Sequence, residues 1–203
     1  MTATLTQPQL TFWQFLEQIP NEAGYYELVN GQMMRKLPTR RHETIAEAIT
    51  DLFKAEVKRQ KLNYWTSGRI VIRTETEDGV EQGRHPDVTV VDKDIWESQP
   101  TAYSALLEPP QITVEVVSTN WEDDYIDKLA EYQRLGIPEY WLVDYLAIAS
   151  RSYLGNPKEP AIFVYTLQTD GTYKMVRYRA TERIVSPTFP KLDLKPEAIF
   201  GQV

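Results

Sequence analysis

The 203-residue chain has no cysteine, which excludes disulfides, thiolate zinc sites and thiol nucleophiles. Its two histidines, His42 and His85, are too few for a histidine-rich zinc centre. No apolar run approaches ~18 residues, so no membrane partner is expected. Met1 to Leu10 lacks a basic segment followed by an apolar run, so no signal peptide is expected. The absence of cysteine suits a reducing compartment, and a cytoplasmic location is the expectation. Positive charge is also scarce, with 22 Lys and Arg against 29 Asp and Glu. A protein that mainly coats nucleic acid is therefore disfavoured, because that binding rests on phosphate neutralisation by Lys and Arg. A nuclease is not excluded, since an acidic metal site lowers the net charge and a local basic patch can persist. No repeat, low-complexity segment or long Pro/Gly linker divides the chain, so residues 1–203 read as a single domain.

The composition that remains is that of a globular protein, 42% hydrophobic and 25% charged. Thr11 to Ile19 carries Phe12, Phe15, Leu16 and Ile19 at helical spacing. Tyr25 to Val29 and Gln32 to Lys36 flank Asn30-Gly31, the signature of a hairpin with a primed turn. Arg41 to Gln60 reads as a long amphipathic helix striped by Ile45, Ile49, Leu52, Phe53 and Val57. Strands are expected at Arg69 to Glu75, Pro86 to Asp92 and Gln111 to Val117, the last apolar enough for burial on both faces. A helix at Asp123 to Leu135 should stop at Gly136, before a strand at Glu139 to Asp144. The segment Gln111 to Asp144 is then a β-α-β unit with parallel strands. Ile148 to Leu154 reads as a strand, and Ala161 to Leu167 pairs with Thr172 to Tyr178 around Asp170-Gly171.

Two acidic residues sit where acids are costly. Glu115 lies inside Ile112-Thr113-Val114-Glu115-Val116-Val117, on the face shared by Thr113 and Val117. A lone carboxylate there requires a cation or an ion-pair partner. Asp87 opens the next strand upstream, after Pro86. If the two strands are neighbours, their carboxylates converge into an oxygen site for Mg²⁺ or Mn²⁺, completed by a backbone carbonyl and water. The plainer reading of Glu115 is a salt bridge to a buried Arg or Lys, and that of Asp87 a strand-start residue. Lys128 borders the helical stripe of Tyr125, Leu129 and Tyr132, from which it leans over the sheet towards the acids or simply snorkels to solvent. Glu27 in the hairpin is a further candidate acid, and His42 at the start of the long helix a candidate to orient water or bind phosphate. Each has an equally good plain reading as a surface Glu or a helix-start His. Ser118 has no evident base partner, so a Ser-His-Asp hydrolase reads poorly. Arg40-Arg41, Lys58 to Lys61 and Arg84 are the basic groups available to a phosphate backbone, although the run at Lys58 reads more simply as a solvated helix end.

These residues have a familiar order. Pro86-Asp87, Glu115-Val116-Val117-Ser118, Asp127-Lys128, Tyr132, Gly136 and Glu139 to Asp144 resemble the Uma family of restriction-endonuclease-like proteins, abundant in cyanobacteria and part of the PD-(D/E)XK nuclease superfamily. Tyr26 to Gly31 and Arg41-His42 resemble the N-terminal region of the same family. The likeness implies an α/β, restriction-endonuclease-like fold: an αβββαβ core, its central mixed sheet flanked by helices, with added N- and C-terminal β-hairpins. It implies Mg²⁺- or Mn²⁺-dependent hydrolysis of DNA, with Asp87, Glu115 and the Val116 carbonyl as metal ligands. One departure stands out, since the superfamily motif has a lysine two residues after the acid, where this chain has Val117. The resemblance assigns that work to Lys128, from the following helix.

Two other functions compete with the endonuclease. A non-catalytic nucleic-acid- or protein-binding module on the same fold is favoured by the acidic net charge and the missing lysine. A two-carboxylate glycosidase has no sugar-binding aromatic cleft to support it. A homodimer is a further expectation, because cutting two strands needs two sites and the C-terminal hairpin Ala161 to Tyr178 offers an edge.

Overall fold

The computed structural model describes residues 9–20 and 24–201. The Met1 to Leu10 reading therefore falls, up to residue 8, outside the described residues.

Thr11 begins the first helix with a reciprocal cap, its side chain accepting from the Gln14 N–H while the Gln14 side chain accepts from the Thr11 N–H. That helix, α1 (Phe12–Gln18), buries Phe12, Phe15 and Leu16. Strands β1 (Tyr25–Val29) and β2 (Gln32–Lys36) follow as an antiparallel hairpin. Asn30 and Gly31 have φ of 50° and 75°, the primed turn the sequence predicts. A Cβ on Gly31 would stand 2.5 Å from the Gln9 side chain, so only glycine fits. The long helix α2 (Arg40–Gln60) is capped by Thr39, whose side chain accepts from the His42 N–H. It ends at left-handed Lys61.

Next come β3 (Tyr64–Ser67), β4 (Val71–Glu75), β5 (Glu81–Arg84), β6 (Val88–Asp92), the short helix α3 (Lys93–Glu97), β7 (Ala105–Leu106) and β8 (Ile112–Val116). A π-helical turn at Asp123–Asp127 leads into α4 (Lys128–Leu135), which stops at left-handed Gly136. The chain closes with β9 (Glu139–Asp144), α5 (Arg151–Leu154), β10 (Ala161–Leu167), β11 (Tyr173–Tyr178) and α6 (Pro196–Phe200).

Among the described residues the strands form two mixed sheets. The larger runs β11-β10-β9-β8-β6-β3, with β8 and β9 parallel as the β-α-β reading requires. One face packs Val88, Val114, Val116 and Trp141 against Ile45, Ile49 and Phe53 of α2. The opposite face packs Val91, Val117, Leu142 and Phe163 with Tyr132 of α4. The smaller sheet runs β2-β1-β5-β4-β7, and α1 covers it with Phe12 and Phe15 against Leu28 and Val71.

The expected mixed α/β architecture, a central mixed sheet flanked by helices, is present with differences of detail. The N-terminal hairpin and β4 do not extend the central sheet. They pair through β5 into the second sheet, and β3 takes the place beside β6. The short strands β3 and β5 carry too few alternating apolar residues to stand out in sequence. Ile148 to Leu154 is not a strand. The Asp144 carboxylate accepts the Ile148 and Ala149 N–H groups at 3.0 and 3.1 Å, which turns the chain and leaves Arg151–Leu154 as a helical turn. The C-terminal hairpin does extend the central sheet. It leaves β11 at one edge with Met175 and Val176 exposed.

Candidate active site

The site lies where the two sheets meet, at the link His85-Pro86-Asp87 that carries the chain from β5 into β6. Antiparallel β6 and β8 pair Val88 with Val114 and Thr89 with Thr113. Continuing that register by one residue sets Asp87 across from Glu115, on the face turned to α4. Both side chains are nearly sequestered, with Glu115 1% exposed. Across the junction, the β1–β2 register pairs Tyr25 with Lys36 and Glu27 with Met34, so Glu27 and Lys36 are diagonal neighbours on one face.

The Lys36 ammonium lies 3.3 Å from Glu27 Oε1, 3.6 Å from Glu115 Oε2 and 3.9 Å from Asp87 Oδ1. Glu115 and Asp87 therefore face one cation, on the same side of their sheet. Lys128 reaches the same oxygens from α4, with Nζ 2.9 Å from Asp124 Oδ1, 3.0 Å from Glu115 Oε2 and 3.6 Å from Glu27 Oε1. It is 1% exposed, so it does not snorkel. The π-helical turn widens the helix just before Lys128, and Asp124 meets it from four residues upstream.

The other oxygens of the two facing acids are held by hydrogen bonds. Asp87 Oδ2 accepts the Val116 N–H at 2.7 Å and lies 3.2 Å from His42 Nε2. Glu115 Oε1 accepts the Tyr132 hydroxyl at 2.7 Å. Glu27 Oε1 accepts the His85 main-chain N–H at 3.1 Å. The five side chains singled out in the sequence, Glu27, His42, Asp87, Glu115 and Lys128, thus form one cluster. The plain alternative for Glu115, a buried salt bridge, is supplied by the same chain through Lys128 and Lys36.

Burial and charge pull these groups apart in acidity. Burial pushes the Glu115 carboxyl up to about 7, a rise that Lys128 and Lys36 only partly offset. Asp87 is also buried, but Lys36 and the His42 hydrogen bond overcome that and hold it at about 2. Glu27 is lowered as well, its burial outweighed by Lys128, Lys36 and Arg84. His42 is raised, because its bond to Asp87 outweighs its own desolvation. His85 moves the other way, to about 4, chiefly through burial and then through Lys36.

The His85 shift has a measurable consequence. Its folded-state value lies below the unfolded value near 6.5, so the unfolded chain binds the proton first as pH falls. Stability unaffected above pH 6.5 is then lost as pH drops towards 4, by up to about 3 kcal/mol at ~1.4 kcal/mol per unit. Denaturant midpoints measured from pH 7 to 4 are expected to fall more steeply in the wild type than in His85→Asn. Parallel curves would show that His85 is not the group responsible.

Sequence reading missed Lys36, Asp124 and Gly68. Lys36 was legible, since the two-residue Asn30-Gly31 loop fixes the register that puts it on the Glu27 face. Gly68 was not, because its role is a close approach: a Cβ there would stand 2.6 Å from the Asp87 carbonyl oxygen. Arg84 is reassigned. It was a candidate for phosphate contact, but it is 2% exposed and committed to Glu131. Arg59 bonds Glu56 on its own helix, consistent with the plain reading of the Lys58 run.

Two facing acids of unequal acidity, flanked by a buried lysine, thus meet at the junction of the sheets. The family described as "Putative restriction endonuclease" (Uma2) matches residues 13–197. The chain belongs to this family. Its fold is similar to that of a solved protein from Anabaena variabilis described as a putative nuclease belonging to DUF820. The TM-score is 0.68 at 18% identity, over 95% of this chain and 98% of that one. None of the curated proteins matches the chain. For an Uma2 protein a divalent metal is implied, and the donor atoms of the cluster are of the type it takes. The converging side chains offer oxygen donors, as a hard cation requires. Asp87 Oδ1 and Glu115 Oε2 are the oxygens turned towards Lys36, Glu115 Oε2 being shared with Lys128 at 3.0 Å, whereas their partner oxygens accept the Val116 N–H and the Tyr132 hydroxyl. Among the described residues, however, no three His, Asp or Glu side chains are already spaced as a metal cage. The ammonium groups of Lys36 and Lys128 stand between the acids.

Proposed function

We propose that this protein is a Mg²⁺- or Mn²⁺-dependent endonuclease that hydrolyses phosphodiester bonds of DNA, in the manner of the PD-(D/E)XK enzymes. The observation that carries the reading is that Asp87 and Glu115, on paired strands, turn one oxygen each towards a single cation. Asp87, Glu115 and the Val116 carbonyl would hold the metal. When bound, the ion supplies Lewis acidity towards a phosphoryl oxygen and acidifies water.

The chain's own groups have separable tasks in this reading. The Val116 N–H and His42 fix the Asp87 carboxylate so that its free oxygen faces the cleft. Tyr132 does the same for Glu115. Lys128, desolvated and held within 3.0 Å of Glu115, offsets negative charge as it grows on the phosphate in the transition state. That is the work of the lysine absent at position 117. The cleft itself is about 470 Å³, with Met34, Leu37 and Leu146 at its rim beside Arg35.

Supercoiled plasmid incubated with the purified protein is expected to be nicked or linearised when Mg²⁺ or Mn²⁺ is added, and to stay intact with excess chelator. Cleavage undiminished by chelator would reject the metal-dependent mechanism.

A second reading, a non-catalytic binding module on this fold, has one observation in its favour: Lys36 and Lys128 already neutralise the acids without a metal. Calorimetry separates the two. Retained binding of a nucleic acid with no heat of Mn²⁺ binding would favour the module.

A further inference from the structure

Lys36 occupies an unusual position. Its ammonium faces carboxylates from β1, β6 and β8 together with the His85 carbonyl oxygen, which lies 3.3 Å away. Three acids and a carbonyl, all oxygen, are the surroundings that a hard divalent cation selects. The contacts, at 3.3 to 3.9 Å, are those of an ammonium rather than the ~2.0–2.6 Å of a coordinated ion.

The two lysines of the cluster differ in how firmly they are held. Lys128 is gripped at 2.9 and 3.0 Å and is fully enclosed. Lys36 makes no carboxylate contact closer than 3.3 Å, and its side chain is 27% exposed. It sits at the end of β2, where the chain runs on into Leu37 and Pro38 at the cleft rim. Both lysines have the same flexible four-carbon stem, but only that of Lys36 reaches the surface and so has a route out.

We propose that Lys36 is a tethered counter-ion for the cation seat. It holds Glu27, Asp87 and Glu115 together in the metal-free protein and swings towards the cleft mouth when a divalent ion enters. Without it only Lys128 would remain between the acids, 3.6 Å from Glu27 and 3.0 Å from Glu115, and the Asp87 carboxylate would face theirs with no ammonium joining the three. Lys36 is thus a positioning residue that keeps the seat assembled, at a cost in metal affinity. This inference rests on the cation site proposed above.

The experiment uses the full chain, stripped with chelator, without nucleic acid. Calorimetric titration with MnCl₂ is expected to give at least tenfold tighter binding for Lys36→Met than for the wild type. Lys36→Gln serves as a second variant should Lys36→Met fold poorly. Loss of charge alone would also tighten binding, so a second measurement tests displacement directly. Brief acetylation of the wild-type protein, read by mass spectrometry, is expected to modify Lys36 several-fold faster with saturating Mn²⁺ than without. Lys128 should stay protected in both. Binding of Mn²⁺ by the variants but not by the wild type would overturn displacement, since no ion then enters the wild-type seat. Mn²⁺ binding that leaves Lys36 equally protected, or affinity no tighter in the variants, would overturn it while leaving the metal site standing. No Mn²⁺ binding by any of these proteins would overturn both this inference and the metal-dependent nuclease.

Discussion

Asp87→Asn is expected to lower the rate of DNA cleavage by about a thousandfold or more, with the fold retained at reduced stability, since Lys36 and His42 lose a charged partner. The amide matches the carboxylate in shape, and its remaining oxygen can still accept the Val116 N–H that now meets Asp87 Oδ2 at 2.7 Å. What it loses is the negative charge facing the cation seat, and with it a ligand of the metal that would acidify water and polarise the phosphate. Lys128→Met should also be slow, by about a hundredfold to a thousandfold, because a preorganised charge is removed from the transition state. The two variants separate on cation binding. Asp87→Asn should bind Mn²⁺ weakly, whereas Lys128→Met should bind it at least as well as the wild type. Single-turnover cleavage and Mn²⁺ calorimetry on both variants make the comparison. Wild-type rates in Asp87→Asn at saturating Mn²⁺ would remove Asp87 from the mechanism.

The second large effect concerns the frame around the site. Arg84 Nε donates to Glu131 Oε2 at 2.8 Å and Nη2 to Oε1 at 2.5 Å, and Nη1 lies 3.2 Å from Asp123 and 3.8 Å from Glu27. Arg84 and Glu131 are both almost wholly buried, and the pair ties β5 of one sheet to α4 on the other. A buried charge stripped of its partner costs far more than the intact pair contributes. Arg84→Met should therefore lose about 3–5 kcal/mol, equivalent to a fall in Tm of roughly 10 °C for a chain of this size. The double variant Arg84→Met/Glu131→Leu should recover more than half of that loss, because no orphaned carboxylate remains at position 131. Urea melts of the three proteins test this. A single variant within 1 kcal/mol of wild type, or a double variant worse than the single, would contradict it.

Much of the scaffold was readable because it depends on local chemistry. Asn30-Gly31 and Asp170-Gly171 announce hairpins, since few other dipeptides accept the backbone angles of such tight turns. Gly136 marks a helix end through its left-handed geometry. The acids of the site were conspicuous because a carboxylate within Ile112-Thr113-Val114-Glu115-Val116-Val117 violates the pattern of a buried strand. The same local logic misread Ile148 to Leu154. Its residues suit a strand, but the Asp144 carboxylate takes the N–H groups of Ile148 and Ala149 at the segment's start.

By itself the sequence determined the type of the longer elements, the hairpin turns at Asn30-Gly31 and Asp170-Gly171 and the presence of two misplaced acids, because each follows from a residue and its near neighbours. Only the tertiary structure decided that the strands divide into two sheets and that Lys36 from β2 and Lys128 from α4 close on one Glu115 oxygen. It also decided that Arg84 faces Glu131 rather than solvent. Those outcomes depend on which distant strands pair and in what register. Electrostatic energy depends on separations of a few ångströms, and such separations are fixed by packing rather than by order along the chain.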